Sequence, residues 1–146
     1  MSAEENKAIV RRSFEDLLNQ GDLNVADEVY APDFLGHDPA MPEEMRGPED
    51  AKQFVSFYRS AFPDIHVTIE DQVAEGDRVV TRFTTRGTHQ GELMGIPPSG
   101  KRVEMSGMTM NRVSGGKIAE EWDNYDALGM MQQIGAIPEQ EEQASS

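Results

Sequence analysis

Cysteine does not occur anywhere in this 146-residue chain. Disulfide bonds, thiol nucleophiles and cysteine-ligated metal sites are therefore all excluded. No stretch approaches the roughly 20 apolar residues that a membrane-spanning helix needs. The first residues, MSAEENKAIV, lack a basic region followed by an apolar run. We therefore expect no signal peptide, and a cytoplasmic protein.

Basic residues are scarce, with 13 Lys and Arg against 27 Asp and Glu, which gives a net charge of −14. Phosphate backbones and anionic membrane surfaces would repel such a chain, so we expect neither nucleic acid nor a membrane as a partner. The length is typical of one domain, which we assign to residues 1–137. Residues 138–146 are polar, and we predict a disordered tail there.

The period of the apolar residues changes once along the chain. Ser2 and Glu5 have the spacing of a capping box and predict a first helix. The clearest helical pattern spans Pro48–Phe62 and ends before Pro63. After Pro63 the apolar residues alternate with a twofold period, which predicts strands. Helices followed by an antiparallel sheet indicate the α+β class rather than a parallel nucleotide-binding sheet.

The stretch from Gly116 to Gly135 predicts a strand that runs into a short helix. Alternate residues share one face of a strand; here these are Ile118, Glu120, Trp122, Asn124 and Asp126. An aromatic ring and a carboxylate on a concave, half-buried face would suit proton chemistry. We therefore expect this face to line a pocket.

Three motifs together resemble a known family. They are RGTHQGELMGIPPSGK at residues 86–101, Arg59-x-x-Phe-Pro-Asp64, and Glu121-Trp122-x-x-x-Asp126. With them, the chain from Asn6 to Gly135 resembles the SnoaL-like polyketide cyclase, or ester cyclase, family of the nuclear-transport-factor-2-like superfamily. The resemblance implies a cone-shaped, strongly curved antiparallel sheet wrapped around the long helix, with a pocket between them.

The resemblance also implies a chemistry. In characterised cyclases of this family, an aspartate after the tryptophan of the last strand is the general acid/base of an intramolecular aldol ring closure. The substrate is a polyketide ester, and no cofactor takes part. By position in the motif, that aspartate corresponds to Asp126.

The local sequence leaves two interpretations of Asp126 open. Next to Trp122, a desolvated carboxylate would have a raised pKa and could act as acid and base. Since Ala127-Leu128-Gly129 follows directly, Asp126 could instead be the N-cap of the last helix. A capping carboxylate is stabilised in its charged form, so the two interpretations predict opposite pKa shifts.

Further candidates for substrate binding are His37, Tyr58, Phe62, His89 and Trp122. We expect the last turn of the long helix to bring Tyr58 and Phe62 to the cavity, and His37 to line its mouth. His89 could donate a hydrogen bond to a substrate carbonyl, or it could merely fix the turn between Gly91 and Gly100. We predict that Tyr58, Phe62, His89, Trp122 and Asp126 converge on one mostly apolar cavity.

No metal or other cofactor is expected. The three histidines have neither His-x-His nor His-x-x-x-His spacing and fall on separate elements. The glycine-rich segment lacks the ending of a phosphate-binding loop, and no serine sits in a recognisable nucleophile elbow.

One predicted strand has methionines on both of its faces, with Met105 on one face and Met108 and Met110 on the other. One set should meet the cavity, and the other should meet a second subunit on the outer face of the sheet. We therefore expect a homodimer or a larger homo-oligomer.

Three functions fit these patterns. The first is a cofactor-independent cyclase or isomerase that acts on a carbonyl-rich, apolar small molecule, and a buried, protonatable carboxylate in an open cavity would favour it. The second is a module that binds a small ligand without turnover, favoured by an Asp126 carboxylate that is capped and points away. The third is a subunit that serves oligomerisation, favoured by a pocket filled with side chains.

Overall fold

Helices occupy the first part of the chain. The computed structural model describes residues 2–137, and the tail predicted at 138–146 lies outside the described residues. Helix α1 (Ala3–Arg12) begins with the predicted capping box, in which Ser2 Oγ accepts from the Glu5 N–H and Glu5 Oε1 accepts from the Ser2 N–H. It continues as a π-helical segment, Ser13–Asn19, and α2 (Asn24–Val29) follows.

Helix α3 (Gly47–Ala61) is the long helix of the fold, and it confirms the predicted one almost residue for residue. Pro48 lies in its first turn, where a missing N–H leaves no hydrogen bond unmade. It buries Ala51, Val55, Tyr58 and Ala61. A short helix, α4 (Ala127–Gln133), closes the described chain. Within residues 2–137, no helix is both long and apolar enough to cross a membrane.

Within residues 2–137, one sheet of six strands faces these helices, in the order β2-β1-β6-β5-β4-β3. The strands are β1 (Tyr30–His37), β2 (Met45–Arg46), β3 (His66–Glu75), β4 (Arg78–Thr88), β5 (Arg102–Ser114) and β6 (Lys117–Tyr125).

The predicted α+β fold is confirmed, with one difference in the sheet. The pairs β1–β2, β3–β4, β4–β5 and β5–β6 are antiparallel, whereas β1 and β6 run parallel. Parallel neighbours need a long connection between them, and here more than half of the chain lies between β1 and β6. The twofold period after Pro63 carries no information about β1, which precedes it.

A β-bulge in β6 overturns one prediction about the strand faces. Ile118 pairs with Val113, and Glu120 pairs with Arg112, which leaves Ala119 as an extra residue. One extra residue exchanges the two faces of the strand beyond it. Ile118 therefore points inward, but Glu120 and Trp122 point outward. The predicted single face from Ile118 to Asp126 is wrong for this reason.

Candidate active site

A cavity of about 110 Å³ lies between α3, the π-helical segment and the concave face of the sheet. Most of its wall is apolar; the lining includes Phe14, Phe34, Met45, Phe54, Phe83 and Met105. The cavity also has hydroxyl and carboxyl groups on its wall; these belong to Ser13, Tyr30, Tyr58, Thr85, Thr109, Glu121, Asp123 and Tyr125. The pocket expected between helix and sheet is therefore present.

Asp123 is the most deeply buried carboxylate of the cavity wall. Its exposed fraction is 7%, and Oδ1 has no hydrogen-bond partner within residues 2–137. Burial raises the pKa of Asp123 well above its ordinary value, and the charge of Glu121, the hydrogen bond with Glu121 and the charge of Asp38 raise it further. Asp123 therefore retains a proton at a pH where an exposed aspartate has lost it.

Glu121 lies on the same inward face of β6 and shares that proton. Burial raises the pKa of Glu121, while its hydrogen bonds with Asp123 and Asn111 act in the opposite direction. The buried Asn111 donates from Nδ2 to Glu121 Oε1 over 2.7 Å, which favours the charged form of Glu121. The proton of the pair is thus held mainly on Asp123, and the charge mainly on Glu121.

Two tyrosines and Asp38 form a chain of hydrogen bonds at the cavity wall. The Tyr125 hydroxyl donates to Asp38 Oδ1 over 2.9 Å, and the Tyr58 hydroxyl lies 3.4 Å from that of Tyr125. Since the hydrogen of Tyr125 is already used, Tyr58 is the donor between the two. Burial raises the pKa of both hydroxyls, so both stay neutral.

Asp126 lies outside this cavity. It is exposed and caps α4, where its Oδ1 accepts from the Gly129 N–H over 2.9 Å. A Cβ on residue 129 would collide with this carboxylate, so glycine leaves the room that the cap needs. The N-cap interpretation is confirmed, and the predicted placement in the pocket is wrong. A catalytic role for Asp126 stays a prediction, which this position does not favour.

Trp122 and His37 also lie away from the cavity, on the outer face of the sheet. Their rings stack with centroids 5.6 Å apart, and Arg78 Cζ lies 5.3 Å from the Trp122 ring. His37 contacts Glu120 Oε2 at 2.7 Å and Glu44 Oε2 at 3.0 Å. The bulge at Ala119 explains why Trp122 lies outside. The predicted convergence of Trp122 on the cavity, and of His37 on its mouth, is wrong.

His89 has the structural role that was weighed for it. It is fully buried, and its Nδ1 accepts from the Ser99 N–H at 3.2 Å, with Ser99 Oγ at 3.0 Å. Its ring lies 5.7 Å from that of Phe62. Phe62 lines a smaller void of about 20 Å³ that shares Tyr58 with the main cavity. Of the predicted residues, the structure brings only Tyr58 to the main cavity.

The sequence reasoning missed Asp123, Glu121, Asn111 and Asp38. Strict alternation through Ala119 places Glu120 and Trp122, rather than Glu121 and Asp123, on the pocket face, and nothing in the neighbouring residues marks a bulge there. Asp38 reaches Tyr125 across 87 positions of sequence, a contact that a local pattern does not report. Composition alone could have indicated this pair, because the two acidic residues Glu121 and Asp123 flank Trp122 on a strand with a buried face.

A metal centre has no support among the residues that the structure describes. Within residues 2–137, no group of three or more His, Asp or Glu side chains is placed to hold a metal ion.

The chain is similar in sequence to several cyclases. The SnoaL-like polyketide cyclase family matches residues 8–134. The chain belongs to this family. It is 31% identical over 120 residues to the nogalonic acid methyl ester cyclase of Streptomyces nogalater, which covers 80% of this chain and 88% of that one. Over 109 residues it is 31% identical to the aklanonic acid methyl ester cyclase DnrD of Streptomyces peucetius, covering 74% and 72%.

The fold is likewise shared with solved members of the superfamily. The structure of TsrD from Streptomyces laurentii superimposes with a TM-score of 0.84 at 28% identity, covering 94% of this chain and 99% of that one. The nuclear-transport-factor-2-like fold implied by the sequence motifs is therefore confirmed.

Proposed function

We propose that this SnoaL-like protein is a cofactor-independent cyclase that closes a ring by an intramolecular aldol reaction. Its substrate is a carbonyl-rich, apolar small molecule, of the class of the polyketide esters on which its relatives act. The observation that carries the proposal is the Glu121–Asp123 pair, which lies inside an otherwise apolar cavity. In this proposal the charged Glu121 is the general base, and the protonated Asp123, rather than Asp126, is the general acid.

An aldol closure requires one group that accepts a proton and one that donates a proton, and the carboxyl pair contains both. One free carboxylate removes a proton from the carbon between two carbonyl groups, and the C–H electron pair becomes an enolate. The enolate carbon then forms a C–C bond to a second carbonyl carbon, whose oxygen becomes an alkoxide. The carboxyl proton is transferred to the alkoxide, so the pair ends with one proton, as it began.

The cavity supports these steps by excluding water. Burial against an apolar wall raises the pKa of both carboxyl groups, which favours the protonated form that can later release its proton. The phenylalanine and methionine side chains offer contact area to fused or conjugated rings. Each of these features acts on an uncharged substrate without a metal or an organic cofactor.

Asp123→Asn tests the proposal in an assay for ring closure of a polyketide methyl ester. Loss of the proton-transferring group should lower kcat by about 10²- to 10⁴-fold. Asp126→Asn is the matched control, because it makes the same chemical change at the exposed cap of α4 and should keep its activity. Full activity of Asp123→Asn together with an inactive Asp126→Asn would refute the role of Asp123 and restore Asp126.

A second candidate is a binding module without turnover. The observation that favours it is the Asp126 carboxylate, which caps α4 and points away from the cavity. Such a protein would bind a polyketide ester saturably and return it unchanged. Wild-type protein that binds the ester but forms no ring over many hours would favour this function over the cyclase.

A further inference from the structure

Four hydroxyl groups of the main cavity use their hydrogens within the protein. Tyr125 donates to Asp38, and Tyr58 is then the donor to Tyr125. Thr109 Oγ1 donates to Asn111 Oδ1 over 3.4 Å, and Ser13 Oγ donates to the Val10 carbonyl over 2.6 Å. These hydroxyls present lone pairs to the cavity because their hydrogens are used elsewhere.

The charges around the cavity have one sign only. Glu121 and Asp123 line it, and the buried Asp38 lies behind Tyr125. Among residues 2–137, no Lys, Arg or His lines this cavity. The Asp123 Oδ1 atom is buried without a partner, although a buried carboxylate oxygen ordinarily has one. The pair therefore carries a negative charge that no positive side chain of the described cavity wall balances.

Aromatic rings form much of the remaining wall. Phe14, Phe34, Phe54 and Phe83 line it together with the rings of Tyr30 and Tyr58. The face of an aromatic ring attracts a cation, and the attraction grows when water is excluded. Ring faces and buried carboxylates in one cavity are complementary to a substituted ammonium group, which has an apolar surface and a single positive charge.

We infer that this cavity binds small organic cations, specifically substituted ammonium compounds with a volume near that of the cavity. The cation contacts the ring faces and lies against the Glu121–Asp123 pair, where Asp123 Oδ1 has no protein partner. This binding activity does not depend on ring closure. A cation of this kind would compete with any cyclase substrate for the same space.

Binding of the cation is linked to the proton of the pair. A positive charge beside the pair favours the ionised form of Asp123, so binding should release a proton and affinity should rise with pH. The titratable groups that face the pair are Tyr30 from β1, Asp38 from the loop after β1, Tyr58 from α3 and Tyr125 from β6. The tyrosine hydroxyls stay neutral because burial raises their pKa.

The test compares choline with 3,3-dimethyl-1-butanol, which has the same shape but no charge, by titration calorimetry on the full chain. Choline should bind the wild-type protein roughly tenfold or more tightly than the alcohol. Its affinity should increase between about pH 6 and pH 8, with proton release visible as a dependence of the heat on the buffer. The alcohol should show neither effect.

Variants then locate the cation. The double variant Glu121→Gln/Asp123→Asn should lose the preference for choline, whereas Glu104→Gln, an exposed acid on the outer face of the sheet, should keep it. Equal affinity of the two probes for wild-type protein, or no binding of choline, would overturn the inference. So would choline binding that persists unchanged in the double variant or releases no proton. Ring closure is measured separately, so failure here leaves the cyclase proposal standing.

Discussion

Asp123 ties the stability of the protein to pH. Its folded pKa is raised, mainly by burial, so the folded chain holds a proton that the unfolded chain has released. The resulting stabilisation is complete below the unfolded pKa of about 3.9 and is lost as pH rises through the folded pKa. At neutral pH the buried carboxyl pair therefore destabilises the fold.

Asp123→Asn should accordingly be as stable as the wild type or more stable at neutral pH. The difference in melting temperature, variant minus wild type, should increase between about pH 5 and pH 8, because the wild type there loses the stabilisation tied to the Asp123 proton and the variant has no such group at this position. Thermal melts across this range measure it, with Glu104→Gln as the control. A difference that shrinks as pH rises would contradict the raised pKa of Asp123.

At the scale of the elements, α4 depends on its N-cap. Asp126→Ala removes the acceptor of the Gly129 N–H and should lower the free energy of unfolding by about 1 kcal/mol. Asp126→Asn keeps an acceptor and should cost only a few tenths of that. Denaturant unfolding of the two variants measures both values. Equal stability of all three proteins would show that the cap contributes nothing.

Gly129→Ala tests the same cap at the residue that donates the hydrogen bond. A Cβ at this position meets the Asp126 carboxylate, which would have to leave its capping position. The loss of stability should match or exceed that of Asp126→Ala, even though alanine has the higher helix propensity. A stabilised Gly129→Ala variant would mean that propensity outweighs the cap.

The elements differ in how far the sequence determines them. The long helix was predictable because Ala51, Val55 and Tyr58 repeat with the helical period, and Pro48 and Pro63 limit it. The strands after Pro63 were predictable from their twofold period. The cavity wall was not, because its composition depends on the bulge at Ala119 and on the contact between Asp38 and Tyr125. Periodicity reports a face only while the alternation is unbroken.

At the scale of the whole molecule, we propose that two copies associate through the outer face of the sheet. A row of side chains in register crosses five strands on this face; it consists of Val73, Val80, Met110, Trp122 and His37. Met108 and Met110 are 51% and 39% exposed. Four of these five side chains are apolar, and an apolar row on the outer face of a sheet is typical of a subunit interface.

Size measurement at micromolar concentration should therefore give a dimer or a larger oligomer. Met110→Lys should shift the wild-type assembly toward monomer, whereas Leu128→Lys, an exposed apolar residue on α4, should not. Trp122 is the only tryptophan, so its emission should report dilution of the protein rather than occupancy of the cavity. A wild-type monomer, or dissociation only by Leu128→Lys, would contradict the proposed interface.

The bulge at Ala119 makes β6 tolerant of one change in length. Deletion of this extra residue would place Glu120 directly after Ile118, and the pairs Ile118–Val113 and Glu120–Arg112 would then follow each other without interruption. Glu120 and Trp122 would still point outward, and Glu121 and Asp123 toward the cavity. An in-frame loss of this one codon should therefore preserve both faces of the strand. Among descendants of one gene, β6 can be one residue shorter at this point and carry the same reactive wall.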